Sequence, residues 1–290
     1  MTAGPALHHV TVGDPRLAPY GGVRDADLRG RDGLYCAETL RVVARFLRAA
    51  ERRRHSGAPP QLTPHSVLCC PRALDTLQPV LAAHPGLPVF VAADGDTVTA
   101  ISGYRLHSGA LALGVRTAED RHADLAAWAA QRPNALLVAC DGVTQTDNVG
   151  AIFRNAASLG ASGVLLSPNA SDPFLRKTAR VAMGRVFDVP WARTQGLPPV
   201  LRALQQQHGF RVLAAEDLPH AVDVRTVAPA PRTVLVLGAE ARGVSQEVLA
   251  LADSVVRIPM STMDGALAAD PPTLNVAVAS AVLLHALRMP

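Results

Sequence analysis

Residues 141–168 read DGVTQTDNVGAIFRNAASLGASGVLLSP. The apolar run 135–140 just before them predicts a buried strand. Asp147 or Asn148 stands where a helix would begin. Val149, Ile152, Phe153, Ala156 and Ala157 follow at helical spacing and form one apolar face. Gly160 ends that helix, because glycine tolerates the left-handed cap position. The run 163–167 predicts a second buried strand. The unit is therefore strand–helix–strand, with Asp147, Asn148 and Arg154 gathered where the first strand ends and the helix opens. Open parallel sheets bind their ligands at that edge.

Outward from this unit, the chain has 290 residues, 49% hydrophobic and 18% charged. That describes a folded globular protein with room for two domains, and excludes a disordered one. No apolar run approaches the roughly 18 charge-free residues of a membrane span. The opening residues MTAGPALHHV have neither the basic nor the apolar region of a signal peptide. Cys36, Cys69, Cys70 and Cys140 have no metal-ligand spacing; adjacent Cys69 and Cys70, in an apolar run, are expected to be buried thiols, and a reduced, cytoplasmic setting fits. The net charge of +4 is a mild pointer to a polyanionic partner. Lys177 is the only lysine, so arginine carries the positive charge. Arginine suits bidentate phosphate contacts, although the same skew, with the abundance of alanine, fits a biased base composition.

In chain order, residues 1–32 are rich in Gly, Pro, Asp and Arg and read as an irregular leader. A helix is expected over 38–50, with Leu40, Val43, Ala44 and Leu47 on its apolar face. Arg41, Arg45, Arg48 and Arg52 form a basic stripe. Such a stripe is either a solvated face or a surface that tracks nucleic-acid phosphates. Strands at 66–70, 88–92 and 109–115 and helices at 71–83 and 94–102 complete a small α/β domain, residues 1–116. Residues 117–134 are expected to link it to a second domain, 135–290. There, helices are expected at 172–183, 198–208, 245–251 and 274–287. Strands are expected at 186–189, 210–214, 233–237 and 254–258. Alternation of this kind argues for a parallel sheet covered on both faces.

Three segments interrupt the apolar pattern at strand ends: Asp147-Asn148 with Arg154, then Gly238-Ala239-Glu240-Ala241-Arg242-Gly243, then Ile258-Pro259-Met260 followed after a loop by Thr273-Leu274-Asn275. They predict a ligand site built from loops on one sheet edge. No G-x-G-x-x-G follows a strand, and no Walker A loop is present. Nucleophile-elbow spacing and metal-ligand clusters are absent too.

In that order, DNVGAIFRNAASLGASGVLLSP, LVLGAEARGVS with VVRIPM, and TLNVAVASAVLLHA resemble the three motifs of the SpoU/TrmH family of RNA ribose methyltransferases, in the SPOUT class. The resemblance covers about 135–288. Residues 1–116 resemble, more weakly, the RNA-binding domain often fused to that family. The resemblance implies a doubly wound C-terminal domain threaded into a trefoil knot, and a homodimer whose sites use both subunits. The small residues Ala277, Ala279, Ser280 and Ala281 would permit close packing there, or serve ordinary helix packing. The implied reaction is methyl transfer from S-adenosylmethionine to a ribose 2′-hydroxyl of rRNA or tRNA.

On the same resemblance, Arg154 matches the proposed catalytic base. Because a guanidinium keeps its proton to a pKa above about 12, the alternative is that it only orients the hydroxyl and its phosphate. Asn148 matches the asparagine supporting that arginine, and Glu240 and Asn275 match the other catalytic polar positions. Gly238, Ile258 and Leu274 match cofactor-holding positions; Met260 would wall the adenine pocket, and Thr273 keeps the hydroxyl of the usual serine. Arg41, Arg45, Arg48, Arg176, Lys177 and Arg180 are candidates for RNA phosphate contact. The 261–272 loop, longer than is typical, is expected beside the cofactor. Taken singly, Asn148 would be a helix cap, Arg154 a solvated arginine and Glu240 a macrodipole partner; their joint occurrence in three ordered motifs favours function. A non-catalytic RNA-binding protein with the same fold is the rival reading. A resistance methyltransferase with the same chemistry is a third.

Overall fold

The computed structural model describes residues 4–22, 24–106, 109–117, 121–260 and 273–288. The chain divides into two compact units, Met1–Ala118 with Asp172–Asp188, and Glu119–Ser171 with Val189–Pro290. Residues 172–188, expected in the second domain, thus group with the first.

The first unit is built on five strands: β1 (Ala6–His9), β2 (Leu34–Glu38), β3 (Thr63–Cys69), β4 (Pro88–Val91) and β5 (Ala110–Val115). Their order is β1-β4-β3-β5-β2. β1, β4 and β3 run parallel, and β5 is antiparallel to β3 and β2. The leader is therefore not irregular: β1 pairs in register with β4, and Pro15–Tyr20 forms a 3-10 helix opened by the Asp14 carboxylate, which accepts from the Arg16 N–H. Glu38 ends a strand rather than starting a helix. The helix is Leu40–Ser56, entered at Thr39, whose hydroxyl accepts from the Val42 N–H, and closed by Gly57 at φ 68°. Val43, Phe46, Leu47 and Ala50 are buried along it.

The returning segment carries short helices at Arg176–Val181 and Arg185–Asp188. The expected strand at 186–189 is a correction. Gly184, at φ +77°, turns the chain into a helical turn that buries Phe187 against aromatic rings instead of in a sheet. Tyr35 stacks on Phe174 at 4.2 Å, and Phe187 lies 5.0 Å from Phe46 and 5.9 Å from Tyr35.

The second unit holds seven strands: β6 (Ala135–Asp141), β7 (Gly163–Leu166), β8 (Trp191–Arg193), β9 (Arg211–Ala215), β10 (Val222–Asp223), β11 (Arg232–Gly238) and β12 (Ser254–Arg257). All pair in parallel, in the order β10-β12-β9-β11-β6-β7-β8. Leu137, Ala139, Val234 and Val236 pack with Leu125, Leu201 and Leu204 from the helices His122–Ala130 and Leu197–His208. By the two-residue alternation of a strand, Leu136, Val138, Leu235 and Leu237 face the other way. The helices Thr146–Ser158 and Val276–Leu287 pack on each other. Burial on both faces explains why these strands are continuous apolar runs.

From β6 the chain proceeds outward to β7 and β8, while β11, β9 and β12 lie on the opposite side of β6. The strand order thus reverses between β6 and β11. Their last residues, Asp141 and Gly238, are register partners. The loops that follow diverge from this point, which is where open sheets of this kind leave a crevice.

Candidate functional site

Residues 239–243 form a tight turn after β11. Ala239 and Gly243 exchange backbone hydrogen bonds, at 2.8 Å and 3.2 Å. A Cβ on Gly238 would lie 2.2 Å from the Gly243 carbonyl carbon and 2.3 Å from the Val244 nitrogen. Only glycine allows this approach. Gly243 sits at φ +65°, and a Cβ there would meet the Glu216 carboxylate at 2.1 Å. Glu216, at the end of β9, accepts from the Val244 N–H at 2.5 Å. Gly238 is set by backbone packing and Gly243 by its positive φ and the Glu216 carboxylate, and the turn they permit projects Glu240.

Three of the four residues expected to be catalytic meet around the Glu240 carboxylate. Asn148 Nδ2 donates to Glu240 Oε1 at 2.9 Å, and Asn275 Nδ2 donates to the same oxygen. Asn275 Nδ2 also lies 3.1 Å from Asn148 Oδ1. Gln145 Nε2 donates to Glu240 Oε2 at 2.7 Å, and Gln145 Oε1 lies 3.3 Å from Asn148 Nδ2. One carboxylate therefore joins the loops after β6 and β11 to the entry of the last helix. Hydrogen bonds to an ionised group are the stronger kind. Asn275 also caps that helix, its Oδ1 accepting from the Ala277 N–H at 2.8 Å. Thr273 precedes that helix and lines the cleft. Asn148 is not a cap: the helix begins at Thr146, and Asn148 is buried in its first turn.

All five residues expected to hold a cofactor, Gly238, Ile258, Met260, Thr273 and Leu274, line one cleft of about 550 Å³. Glu240 and Asn275 border it, and Glu216 and Asp217 supply carboxylates on its far side. Its volume lies in the range of small-molecule sites. The apolar Ile258, Met260, Leu274 and Leu283 suit a flat heterocycle, and the carboxylates suit hydroxyl groups, so the cleft fits an adenosyl group. The 261–272 loop lies outside the described residues.

Arg154 is exposed and lines neither this cleft nor the neighbouring one. It is six residues beyond Asn148, so on a helix of 3.6 residues per turn it points about 120° away. The candidates for RNA contact all lie in the first unit. Arg41, Arg48 and Lys177 are exposed. Arg45 is engaged internally, 3.3 Å from Asp188 and donating to the Met183 carbonyl at 3.0 Å. Arg176 pairs with Asp25 at 2.9 Å and lies over the Tyr104 ring, and Arg180 pairs with Glu38 at 3.3 Å.

Four residues of the site were not among the candidates named from the sequence. Gln145 and Glu216 complete the polar framework described above. Asp141 Oδ2 accepts from the Ser245 N–H at 2.9 Å. Asn155 Nδ2 donates to the Ala277 carbonyl at 2.8 Å and lies 2.9 Å from Ser280 Oγ, tying the two packed helices together. An amide next to the expected arginine, on a helix with an apolar face, was the one available hint. Among the described residues no group of three or more His, Cys, Asp or Glu could hold a metal ion. No helix among them is long and apolar enough to cross a membrane.

The SpoU rRNA Methylase family profile matches residues 135–285. A Mycobacterium bovis protein named as an uncharacterized tRNA/rRNA methyltransferase is 33% identical over 282 residues, covering 94% of this chain and 88% of its own. The 23S rRNA (guanosine-2′-O-)-methyltransferase RlmB of Vibrio vulnificus is 32% identical over 155 residues, 53% of this chain and 59% of its own. Among solved structures, the AdoMet-bound rRNA methyltransferase of Sinorhizobium meliloti superposes with a TM-score of 0.73 at 23% identity, covering 97% of both chains. The SpoU methyltransferase AviRb of Streptomyces viridochromogenes, in complex with AdoMet, gives 0.71 at 21% identity over 94% of this chain and 97% of its own.

Proposed function

The chain belongs to the SpoU rRNA Methylase family, and from that premise we propose that it transfers a methyl group from S-adenosylmethionine to a ribose 2′-hydroxyl of rRNA or tRNA. The observation that carries this reading is the convergence of Asn148 from the first turn of one helix, Glu240 from the turn after β11 and Asn275 from the entry of the last helix, at the mouth of a cleft that fits an adenosyl group. The cytoplasm is the compartment this substrate implies, and four free cysteines agree with it.

When bound, S-adenosylmethionine supplies a methyl group already activated on a sulfonium centre. What the chain must add is alignment and care of the hydroxyl proton. Gly238 and Leu274 hold the cofactor edge, Ile258 and Met260 wall the heterocycle, and Thr273 closes the rim. Glu240 fixes the geometry: with Asn148, Gln145 and Asn275 all donating to it, its role is to keep the loops in register. Arg154 orients the ribose hydroxyl and the adjoining phosphate.

Arg154 does so from the partner subunit of a homodimer. Its position away from its own cleft supports this, as does an unpartnered face on the last helix. Val278 and Val282 lie four residues apart on it and are 50% and 41% exposed. The second unit is threaded as a trefoil knot, as the resemblance of its three motifs to the family implies. The first unit binds the RNA, with exposed Arg41, Arg48 and Lys177 as its phosphate contacts; Arg45, Arg176 and Arg180 support that surface through their acidic partners.

The test is transfer of radiolabelled methyl to unmodified total RNA, followed by nucleoside analysis. Arg154→Ala is expected to abolish 2′-O-methylation while leaving cofactor affinity within twofold. Co-expressing Arg154→Ala with Asn275→Ala subunits distinguishes the two arrangements. Mixed dimers recover activity at one of their two sites if the arginine acts across the interface, and at neither if it acts within its own chain.

A further inference from the structure

A second chamber, of about 570 Å³, lies across the Glu240 wall from the cofactor cleft. Ala239, Glu240 and Gly243 border both spaces. On the far side the chamber is lined by the loop after β6, by Asn169 and by Arg242. It opens at the same reversal of strand order that places the cleft. No motif residue assigned to the cofactor reaches it; of the four residues expected to be catalytic, Asn148 and Glu240 border it.

Its polar groups are half-used. Asp141 Oδ2 accepts from the Ser245 N–H, which leaves Oδ1 as an acceptor. Asn169 Oδ1 accepts from Ser167 Oγ at 2.7 Å, which leaves its Nδ2 as a donor. The two are neighbours: Gly142, which follows Asp141, has its Cβ position 3.6 Å from Asn169 Nδ2. Arg242 is exposed at the rim. An acceptor beside a donor on the floor, with a cation at the mouth, matches a nucleobase edge attached to a phosphodiester. Every base presents an N–H next to an acceptor, and phosphate is met by arginine.

We propose that this chamber is the subsite for the target nucleoside of the RNA, with Asp141 and Asn169 reading the edge of the unstacked base and Arg242 meeting its phosphate. The proposal rests on the methyl-transfer reading above, and adds to it the place where the acceptor binds. It puts base and cofactor on opposite sides of the Glu240 network, so that the ribose between them reaches the mouth of the cleft. Asp141 and Asn169 are specificity-determining residues, and neither belongs to the three motifs.

Two conservative substitutions separate this role from a structural one. Asn169→Asp retains the acceptor for Ser167 and replaces only the chamber donor. Asp141→Asn retains the acceptor for Ser245 and alters only the chamber acceptor. Each is expected to lower kcat/KM for total RNA at least tenfold, with S-adenosylmethionine affinity by calorimetry unchanged within twofold. Transfer at wild-type efficiency, or a parallel loss of cofactor affinity, would overturn the proposal. If the wild-type protein methylates no RNA, the reaction reading fails by itself. The subsite is then judged by ultraviolet crosslinking of total RNA carrying 4-thiouridine. Crosslinks at Thr144 or Arg242 sustain it, and crosslinks confined to other residues of the second unit refute it.

Discussion

Glu240 is exposed, yet its carboxylate gathers three amide side chains from the entries of two helices. That makes it a fastening. Gly238→Ala would drive a methyl into the Gly243–Val244 peptide. Overpacking costs about 1–3 kcal/mol, and more where the neighbour is backbone. The expected result is a lowered urea midpoint together with weakened cofactor binding. The cysteines give a second prediction at this scale. Burial pushes the thiols of Cys36, Cys69 and Cys140 up to about 12. At pH 8 they stay protonated, and the thiolate is the reactive form. Iodoacetamide with mass spectrometry on the native protein should therefore mark the half-buried Cys70 and spare the other three. At the residue level, Asn148, Glu240 and Asn275 were legible because each is a polar side chain at a strand end or helix entry, repeated in a set order. The direction of Arg154 was not: the helical period places it away from Asn148, but does not say what it faces instead.

The elements of the second unit were legible for a physical reason. Strands covered on both faces must be apolar throughout, so β6, β7, β9 and β11 stand out as unbroken runs. The first unit concealed β1 and β2. β1 is four residues long with alternating burial, and β2 ends in Glu38 directly before a helix. The turn at Gly184 misled in the opposite sense, because Val186 and Phe187 are strand-like residues buried by ring packing. The least legible element contact is the one between the helices Thr146–Ser158 and Val276–Leu287, fastened by the Asn155 amide. Asn155→Leu leaves the Ala277 carbonyl and the Ser280 hydroxyl without that donor. The Ser280 hydroxyl still donates to the Ala277 carbonyl, so only the net worth of the lost bonds, about 0.5–1.5 kcal/mol each, is expected to go in urea unfolding. Methyl transfer should fall further than stability does, since the same helix carries Asn275 at its entry.

At the scale of the whole molecule, the chain visits the first unit twice. Residues 172–188 return after 119–171 have begun the second unit. They bring Phe174 and Phe187 to the rings of Tyr35 and Phe46, and Asp172 to Arg116 at 2.6 Å. A fragment ending at residue 118 lacks these groups and is expected to be molten or insoluble. Joining 172–188 to it through a flexible linker should restore a cooperative thermal transition by circular dichroism. The boundary at 116 expected from sequence followed a change in composition, and composition does not reveal a return. Synthesis proceeds from the amino terminus, and domains generally fold as units as they emerge. Here the amino-terminal unit is still missing part of its aromatic core when β6, the helix after it and β7 have all been made. Its final packing must wait until residue 188 has left the ribosome.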